Sequence, residues 1–297
     1  MKITEILKRR RPTISFEFFP PKTSEAEATL LDTLAHLREL SPSFTSCTYG
    51  AGGSTRAKTL EVTLKIKEQF DLEAMAHFTC VGQHREEIDR VLSDFAQRGI
   101  ENVLALRGDR PLNQPQPPEG WFPDFKYAVD LIRHLRQRFG KLIAIGCAGY
   151  PEKHPEAPTF EADLHHLKAK VEAGADFIIT QLYFDNRAFF RFVDRCRQLG
   201  IHVPIMAGIM PVTNVAQTKK FTAMCGATIP ARMLSDLEPI ADNPEAVLQY
   251  GIEWSVRQCS ELLEAGVDGL HFYTLNRSQA TRRIVETLRL QHPGKLP

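Results

Sequence analysis

A glutamate stands inside an aromatic run near the start of the chain, Ile14-Ser15-Phe16-Glu17-Phe18-Phe19. In an extended strand, alternation puts Ile14, Phe16 and Phe18 on one face and Ser15 and Glu17 on the other. The large apolar face belongs against a covering layer, which turns Glu17 inward. A carboxylate among phenylalanines is costly to ionise, so its pKa is expected to rise toward neutrality. That is the condition for a general acid working near neutral pH. The same spacing also suits a structural glutamate paired with an inward Arg or Lys, and spacing alone leaves both readings open.

Other groups able to hold a ligand recur where β-rich runs end. Leu106-Arg107-Gly108-Asp109 combines a bidentate phosphate donor, a residue that allows close backbone approach, and an acceptor for the N–H edge of a flavin or pterin. A surface turn with a local ion pair would read identically. His77 ends the run Ala76-His77-Phe78-Thr79, where a satisfied core histidine is the plainer alternative. Thr48-Tyr49-Gly50-Ala51-Gly52-Gly53 could form a backbone nest for an anion, although it lacks a lysine. Tyr150, Pro151, Glu152, His154 and Pro155 make a stiff polar segment, Gln181 can present its amide to a heterocycle, and Tyr273-Thr274-Leu275-Asn276-Arg277 closes the series. Nowhere is there a Ser-His-Asp set, a strand lysine poised for a Schiff base, or a cluster with metal-ligand spacing. One acid among many hydrogen-bonding groups suits a reaction whose hard chemistry belongs to a cofactor.

The elements that must position these groups alternate from end to end. Strands are expected at residues 13–19, 44–48, 73–79, 102–106, 142–147, 177–180, 204–208 and 269–273. Between them lie segments with apolar residues at helical spacing, such as Ile88, Val91, Leu92 and Phe95, or Leu164, Leu167 and Val171. Caps are expected at Thr23 or Ser24 and at Asn186. Strands joined through helices are parallel, and eight such units favour a single (β/α)8 barrel over an open sheet. A doubly wound fold would carry a glycine-rich turn after its first strand, where this chain has Pro20-Pro21. In a barrel the active site lies at the C-terminal mouth, where the groups above would gather. Two stretches are expected to be irregular: residues 110–123, with five prolines and a possible role as a lid, and residues 228–243.

Composition narrows the class. The 297 residues fit one barrel, and 37 basic against 36 acidic residues leave a net charge of +1 without the basic stripe that nucleic-acid binding needs. No apolar run is long enough to span a membrane, and the basic N-terminus lacks the apolar segment of a signal peptide, so a cytoplasmic enzyme is expected. The cysteines, Cys47, Cys80, Cys147, Cys196, Cys225 and Cys259, include no C-x-x-C pair and read as buried small hydrophobes, with no metal site.

Taken in order, Phe16-Glu17-Phe18-Phe19-Pro20-Pro21-Lys22, Thr48-Tyr49-Gly50, Ala105-Leu106-Arg107-Gly108-Asp109, Tyr150-Pro151-Glu152-Lys153-His154-Pro155-Glu156-Ala157 and Thr180-Gln181 closely resemble the methylenetetrahydrofolate reductase family. So do Gly208-Ile209-Met210-Pro211, Lys219-Lys220-Phe221 and His271-Phe272-Tyr273-Thr274-Leu275-Asn276-Arg277. The resemblance implies FAD at the barrel mouth and reduction of 5,10-methylenetetrahydrofolate to 5-methyltetrahydrofolate with NAD(P)H by a ping-pong mechanism, supplying methyl groups for methionine synthesis. It implies Glu17 as the proton donor that opens the folate's bridging methylene. It also implies Asp109 as a second catalytic group beside flavin and pterin. Tyr49, Ala51, His77, Arg107, Gly108, Asp109, Ala128, Tyr150, His154, Ala157, Asp163 and Lys170 would line the FAD, with Arg107 and Lys170 on phosphate and Asp163 on a ribose. Thr48, Gln181, Gln217, Phe221 and Arg277 would contact nicotinamide or folate.

Further implications are a homo-oligomer, dimer or tetramer, and one catalytic barrel over residues 1–297 without the regulatory domain of eukaryotic forms. Two rival readings differ in chemistry. A flavin barrel of the proline dehydrogenase type would want an arginine cluster for a carboxylate and has no use for Glu17. A folate- or corrinoid-binding module without redox work would carry no flavin.

Overall fold

Parallel strands linked by helices leave two sheet edges with unpaired backbone groups, and closure into a barrel removes both. The computed structural model describes residues 1–48, 56–82, 84–108 and 121–297. Its strands are β1 (Thr13–Phe18), β2 (Phe44–Cys47), β3 (Ala74–Thr79), β4 (Asn102–Leu106), β5 (Ala144–Gly149), β6 (Phe177–Thr180), β7 (Ile205–Ile209) and β8 (Gly269–Tyr273). Each pairs in parallel with its sequence neighbour, and β8 returns to β1, giving a closed (β/α)8 barrel as expected. β5 begins two residues later than anticipated because Leu142 is spent on the turn that ends the preceding helix and is 68% exposed.

The helices, among the described residues, are α1 (Ile3–Arg9), α2 (Ser24–Arg38), α3 (Arg56–Phe70), α4 (Arg85–Gln97), α5 (Ala128–Phe139), α6 (Phe160–Glu172), α7 (Asn186–Gln198), α8 (Val215–Cys225), α9 (Ala231–Leu237), α10 (Pro244–Glu264) and α11 (Gln279–Gln291). None of them is long and apolar enough to cross a membrane. Thr23 caps α2 as expected, its hydroxyl accepting from the Ala26 N–H. The cap of α7 is Asp185 rather than Asn186, because the Asp185 carboxylate reaches the Arg187 N–H while Asn186 turns inward to the Gln258 carbonyl. The stretch 228–243 is not irregular throughout. It holds α9 and a short 3-10 turn, Glu238–Ile240, with Met233 and Leu237 buried at helical spacing.

Two apolar layers flank the strands. Ile14, Phe16, Phe18, Phe78 and Phe272 face outward onto the helices. Phe44, Met75, Leu104, Phe177 and Met206 fill the lumen, where Ile3 and Leu7 of α1 plug the N-terminal end. The sequence reading assigned no element there. Ile3 and Leu7, four apart, share one helix face, and burying each contributes about 1.5–3 kcal/mol. Asn102, fully buried, pins the plug: its Oδ1 accepts from the Ile3 N–H at 2.7 Å and its Nδ2 donates to the Met1 carbonyl at 3.1 Å. With that end sealed, the C-terminal mouth is the open end of the barrel among the described residues. Five cysteines are buried and free of disulfides as expected, but Cys225, at the exposed end of α8, is only half-buried.

Candidate active site

Register carries the first strand's glutamate into the lumen. Glu17 sits opposite Ser46 on β2 and Tyr273 on β8, one layer above the apolar plug, and is 5% exposed. Three side chains converge on its Oε2: His271 Nε2 at 3.1 Å, His77 Nε2 at 3.4 Å and the Ser46 hydroxyl, which donates at 3.4 Å. On the far side of His271, Nδ1 lies 2.8 Å from the Ser15 Oγ. His271 is fully buried between Phe44 and Tyr273. A carboxylate on Glu17 calls for Nε2–H on His271, leaving Nδ1 to accept from Ser15.

This environment corrects one expectation. The phenylalanines lie on the other face of β1, so Glu17 sees imidazoles and a hydroxyl instead. Burial pushes its carboxyl upward, but the charge of His77, the hydrogen bond and charge of His271, and the Ser46 hydroxyl together outweigh it and hold the pKa below the usual carboxylate value. His77 moves the other way from an ordinary ion-pair partner. Burial pulls it down to about 4, against the attraction of Glu17 and with help from His271. Above that pH His77 is neutral and its share of the pull on Glu17 lapses, so His271 and Ser46 are the partners that matter near neutrality.

Above Glu17 the mouth carries polar atoms without partners. The Thr48 and Thr79 hydroxyls and His77 Nε2 are buried and make no hydrogen bond, the last lying near Glu17 without the orientation for one. Buried polar atoms are usually satisfied, so three orphans at the ends of β2 and β3 mark a surface shaped for a ligand. Gly108 follows β4 at φ 84°, where a Cβ would come within 2.8 Å of Val81 Cγ2 and 3.0 Å of Thr79 Cβ. Glycine is needed there for the tight packing beneath the mouth as well as for the left-handed turn.

Several of the expected cofactor residues gather on one side of the mouth. Arg107 holds Glu156 through two bonds of 2.6 and 2.9 Å, so its fork already grips a carboxylate. Asp163 accepts from the His154 N–H at 2.9 Å, and the Tyr150 ring meets His154 edge-on at 4.7 Å. The Ala157 N–H donates to the His154 carbonyl, and Lys170 reaches in from α6 to donate to the Ala148 carbonyl at 2.6 Å. Burial lowers the His154 pKa, with Asp163 opposing and Arg107 and Lys170 among the charges that face it. Ala128 is the first residue of α5. Tyr49, Ala51 and Asp109 lie outside the described residues, as does the expected lid at 110–120.

Four of the expected substrate residues follow along β6 to β8, adjoining the cofactor group, while the fifth, Thr48, stands apart at the end of β2. Gln181 follows β6, its N–H donating to the Gly149 carbonyl and its Oε1 accepting from the Leu182 N–H. Gln217 is exposed in the first turn of α8, and Phe221 rests half-buried on a cluster that includes Leu182, Phe184 and Met210. Arg277 opens onto a cleft shared with Pro211, Leu248 and Tyr273. Tyr273 itself donates to the Thr180 carbonyl at 2.7 Å. Gly208 makes that possible: a Cβ there would lie 2.2 Å from the same carbonyl oxygen and 2.9 Å from the Tyr273 hydroxyl.

Sequence reasoning missed His271, Ser15 and Ser46. The signal was available in part, since alternation on β8 puts Gly269, His271 and Tyr273 on one face, but the partner of that face is 254 residues away. A Ser-His-Glu row therefore exists where no such set was read. Ser15 is fully buried below Glu17, a position that suits holding the imidazole rather than attacking a substrate. Among the described residues no group of three His, Cys, Asp or Glu could hold a metal ion.

Comparison with known proteins adds kinship to this geometry. Residues 2–289 match the family model for methylenetetrahydrofolate reductase. The chain is 40% identical to methylenetetrahydrofolate reductase (NADH) 1 of Arabidopsis thaliana, over 99% of this chain and 51% of that protein. It is 41% identical to the 5,10-methylenetetrahydrofolate reductase of Salmonella typhimurium, over 95% of this chain and 92% of that protein. The chain thus spans about half the length of the plant relatives and nearly all of the bacterial ones. A Clostridium thermocellum protein that binds two copies of 5-methyl-5,6,7,8-tetrahydrofolic acid shares the fold, with a TM-score of 0.66 at 17% identity over 97% of each chain.

Proposed function

The chain belongs to the methylenetetrahydrofolate reductase family, and from that premise we propose that it reduces 5,10-methylenetetrahydrofolate to 5-methyltetrahydrofolate with NAD(P)H, by a ping-pong mechanism dependent on FAD. One observation carries the reading. Among the described residues a single carboxylic acid is sealed in the barrel, in contact with two imidazoles, directly beneath a polar mouth.

The residues present fit FAD. Thr48, Thr79 and His77 offer buried polar atoms that want partners. Arg107 and Lys170 provide cationic ends on one side of the mouth, and Asp163 an acceptor suited to a ribose. Glu156 must release the Arg107 fork before a phosphate can take it. FAD supplies hydride transfer when bound, a chemistry that no side chain of this protein possesses.

The chain's own work is proton management and positioning. Opening the folate's bridging methylene breaks its bond to N10, and the leaving nitrogen needs a proton. In this reading Glu17 delivers it, with His271 on the same oxygen as a second carrier and Ser15 fixing the imidazole's orientation. At rest the partners of Glu17 outweigh burial and hold its pKa low; a substrate covering the mouth deepens that burial and so shifts the balance toward the protonated form when it is needed. Gln181, Gln217, Phe221 and Arg277, carried after β6, on α8 and after β8, offer amides and a guanidinium for the folate and a ring to stack on it. We assign the protein to the cytoplasm as a homo-oligomer serving methyl supply for methionine.

The test is spectroscopic. NADH added anaerobically should bleach the flavin band of the purified protein, and methylenetetrahydrofolate should restore it. Glu17→Gln should still bleach but fail to recover. A flavoprotein that bleaches but is not restored by the folate loses the substrate assignment; a colourless protein that cannot be loaded with FAD loses the whole reading.

A further inference from the structure

After β8 the chain turns through two consecutive left-handed residues, neither a glycine: Leu275 at φ 52° and Asn276 at φ 57°. L-residues seldom adopt this conformation, and asparagine is among the few that tolerate it, whereas leucine is not. Such backbone persists only where its surroundings over-determine it, and it collects at functional sites.

The surroundings here are a dense set of bonds to the end of β1. The Asn276 Oδ1 accepts from the Phe19 N–H at 2.8 Å, and its Nδ2 donates to the Phe19 carbonyl at 2.9 Å. The Thr274 hydroxyl donates to the Glu17 carbonyl at 2.6 Å and accepts from the Asn276 N–H at 3.2 Å. From the other side the Thr33 hydroxyl of α2 donates to the Asn276 carbonyl at 3.1 Å, and the Arg277 N–H donates to the Thr274 carbonyl at 3.0 Å.

The pattern has a simple logic. The β1–β8 ladder last pairs Glu17 with Tyr273, because the chain leaves β8 immediately afterwards. A primary amide presents an N–H donor and a carbonyl acceptor side by side, as a peptide linkage does. The Asn276 side chain therefore supplies, at Phe19, the rung that the departed backbone cannot. Glu17 is two residues before the clamped peptide and Arg277 one residue after the clamping side chain.

We propose that Asn276 is a positioning residue: its amide replaces the missing rung between β1 and β8, locks the left-handed turn, and so holds Glu17 and Arg277 in one fixed relation across the mouth. This rests on the function proposed above. Asn276 acts through its neighbours and touches no reacting atom.

Two variants of the FAD-loaded protein test it. Asn276→Gly accepts the left-handed backbone without strain but has no amide. Asn276→Asp tolerates the same backbone and can accept from the Phe19 N–H, yet cannot donate to the Phe19 carbonyl. Bleaching by NADH should be unchanged in both. Recovery of colour with methylenetetrahydrofolate should slow by about 10- to 100-fold in Asn276→Gly, the scale of a misplacement near 1 Å, with a smaller loss in Asn276→Asp. Half-saturation by the folate should rise together with the fall in maximal rate, since Arg277 and Glu17 are displaced at once. Independently of activity, amide hydrogen exchange at Phe19 should accelerate in Asn276→Gly. Unchanged exchange at Phe19 overturns the clamp, and faster exchange with wild-type rate and half-saturation overturns its positioning role. If the wild type itself is not restored by the folate, the proposed reaction falls, and the exchange measurement still decides the clamp.

Discussion

Replacing His77 by glutamine should flatten the acid side of the protein's stability profile. His77 is 4% exposed, and burial draws its imidazole down to about 4. In the unfolded chain the same ring titrates near about 6.5. Between those values the unfolded state binds a proton that the folded state refuses. The stabilisation is therefore complete above the unfolded value and is lost as pH falls toward the folded one. Over the whole window the loss comes to about 3 kcal/mol, and from about pH 7.5 to about pH 5 it is already about 2 kcal/mol. The upper part of the window lies above the range where Glu17 titrates, so the signal belongs to His77. The assay is thermal unfolding of wild type and His77→Gln at the two ends of that range, with cofactor content matched. Any fixed cost of the glutamine cancels in the difference between the two pH values. The wild type should lose several degrees more than the variant on acidification. Parallel losses would refute the argument, because a ring that stays neutral by burial must give this slope.

Asn102→Ala removes the partners of the Ile3 N–H and the Met1 carbonyl at a fully buried position. The expected cost is about 1–3 kcal/mol, and limited proteolysis should show earlier cleavage around α1; unchanged N-terminal protection would mean the plug is held by Ile3 and Leu7 alone. Glu156→Gln is expected to shift stability by less than about 1 kcal/mol, because Glu156 is 55% exposed and its pair with Arg107 is screened by solvent. The same substitution should tighten binding of FAD, measured by calorimetry on the stripped protein, since it removes the negative charge that competes with a phosphate for the fork. Weaker binding would instead make Glu156 an orienter of Arg107.

Much of the architecture was legible because strands buried on both faces, against the lumen and against the helices, read as short apolar runs, and on β1 a period of two separates the large residues from the small and polar ones. That period turned Glu17 inward correctly, and eight such runs separated by helical spacing implied closure. Boundaries slipped where local chemistry competes: Leu142 was read into a strand although it belongs to a turn, and Asn186 was read as a cap although Asp185 does that work. The site was legible only in its parts. Arg107 and His154 stood out as polar residues near strand ends, and Asp163 and Lys170, on α6, came only from the family resemblance; nothing local said that Glu156 would hold the Arg107 fork. The sign of the Glu17 shift was misjudged for the same reason, since its phenylalanine neighbours in sequence are not its neighbours in space.

By itself, then, the order of residues determined the periodicities, the fold class and the inventory of reactive groups, all properties that depend on neighbours a few positions apart. The partners of those groups were decided by tertiary structure. Ser15 and Glu17 meet His271 only because β8 closes onto β1, and the strain at Leu275 and Asn276 is tolerable only because Phe19, Thr33 and Glu17 hold the turn from outside it. Electrostatics and hydrogen bonding act over a few ångströms of space, whatever the separation along the chain, and that is why they had to wait for the fold.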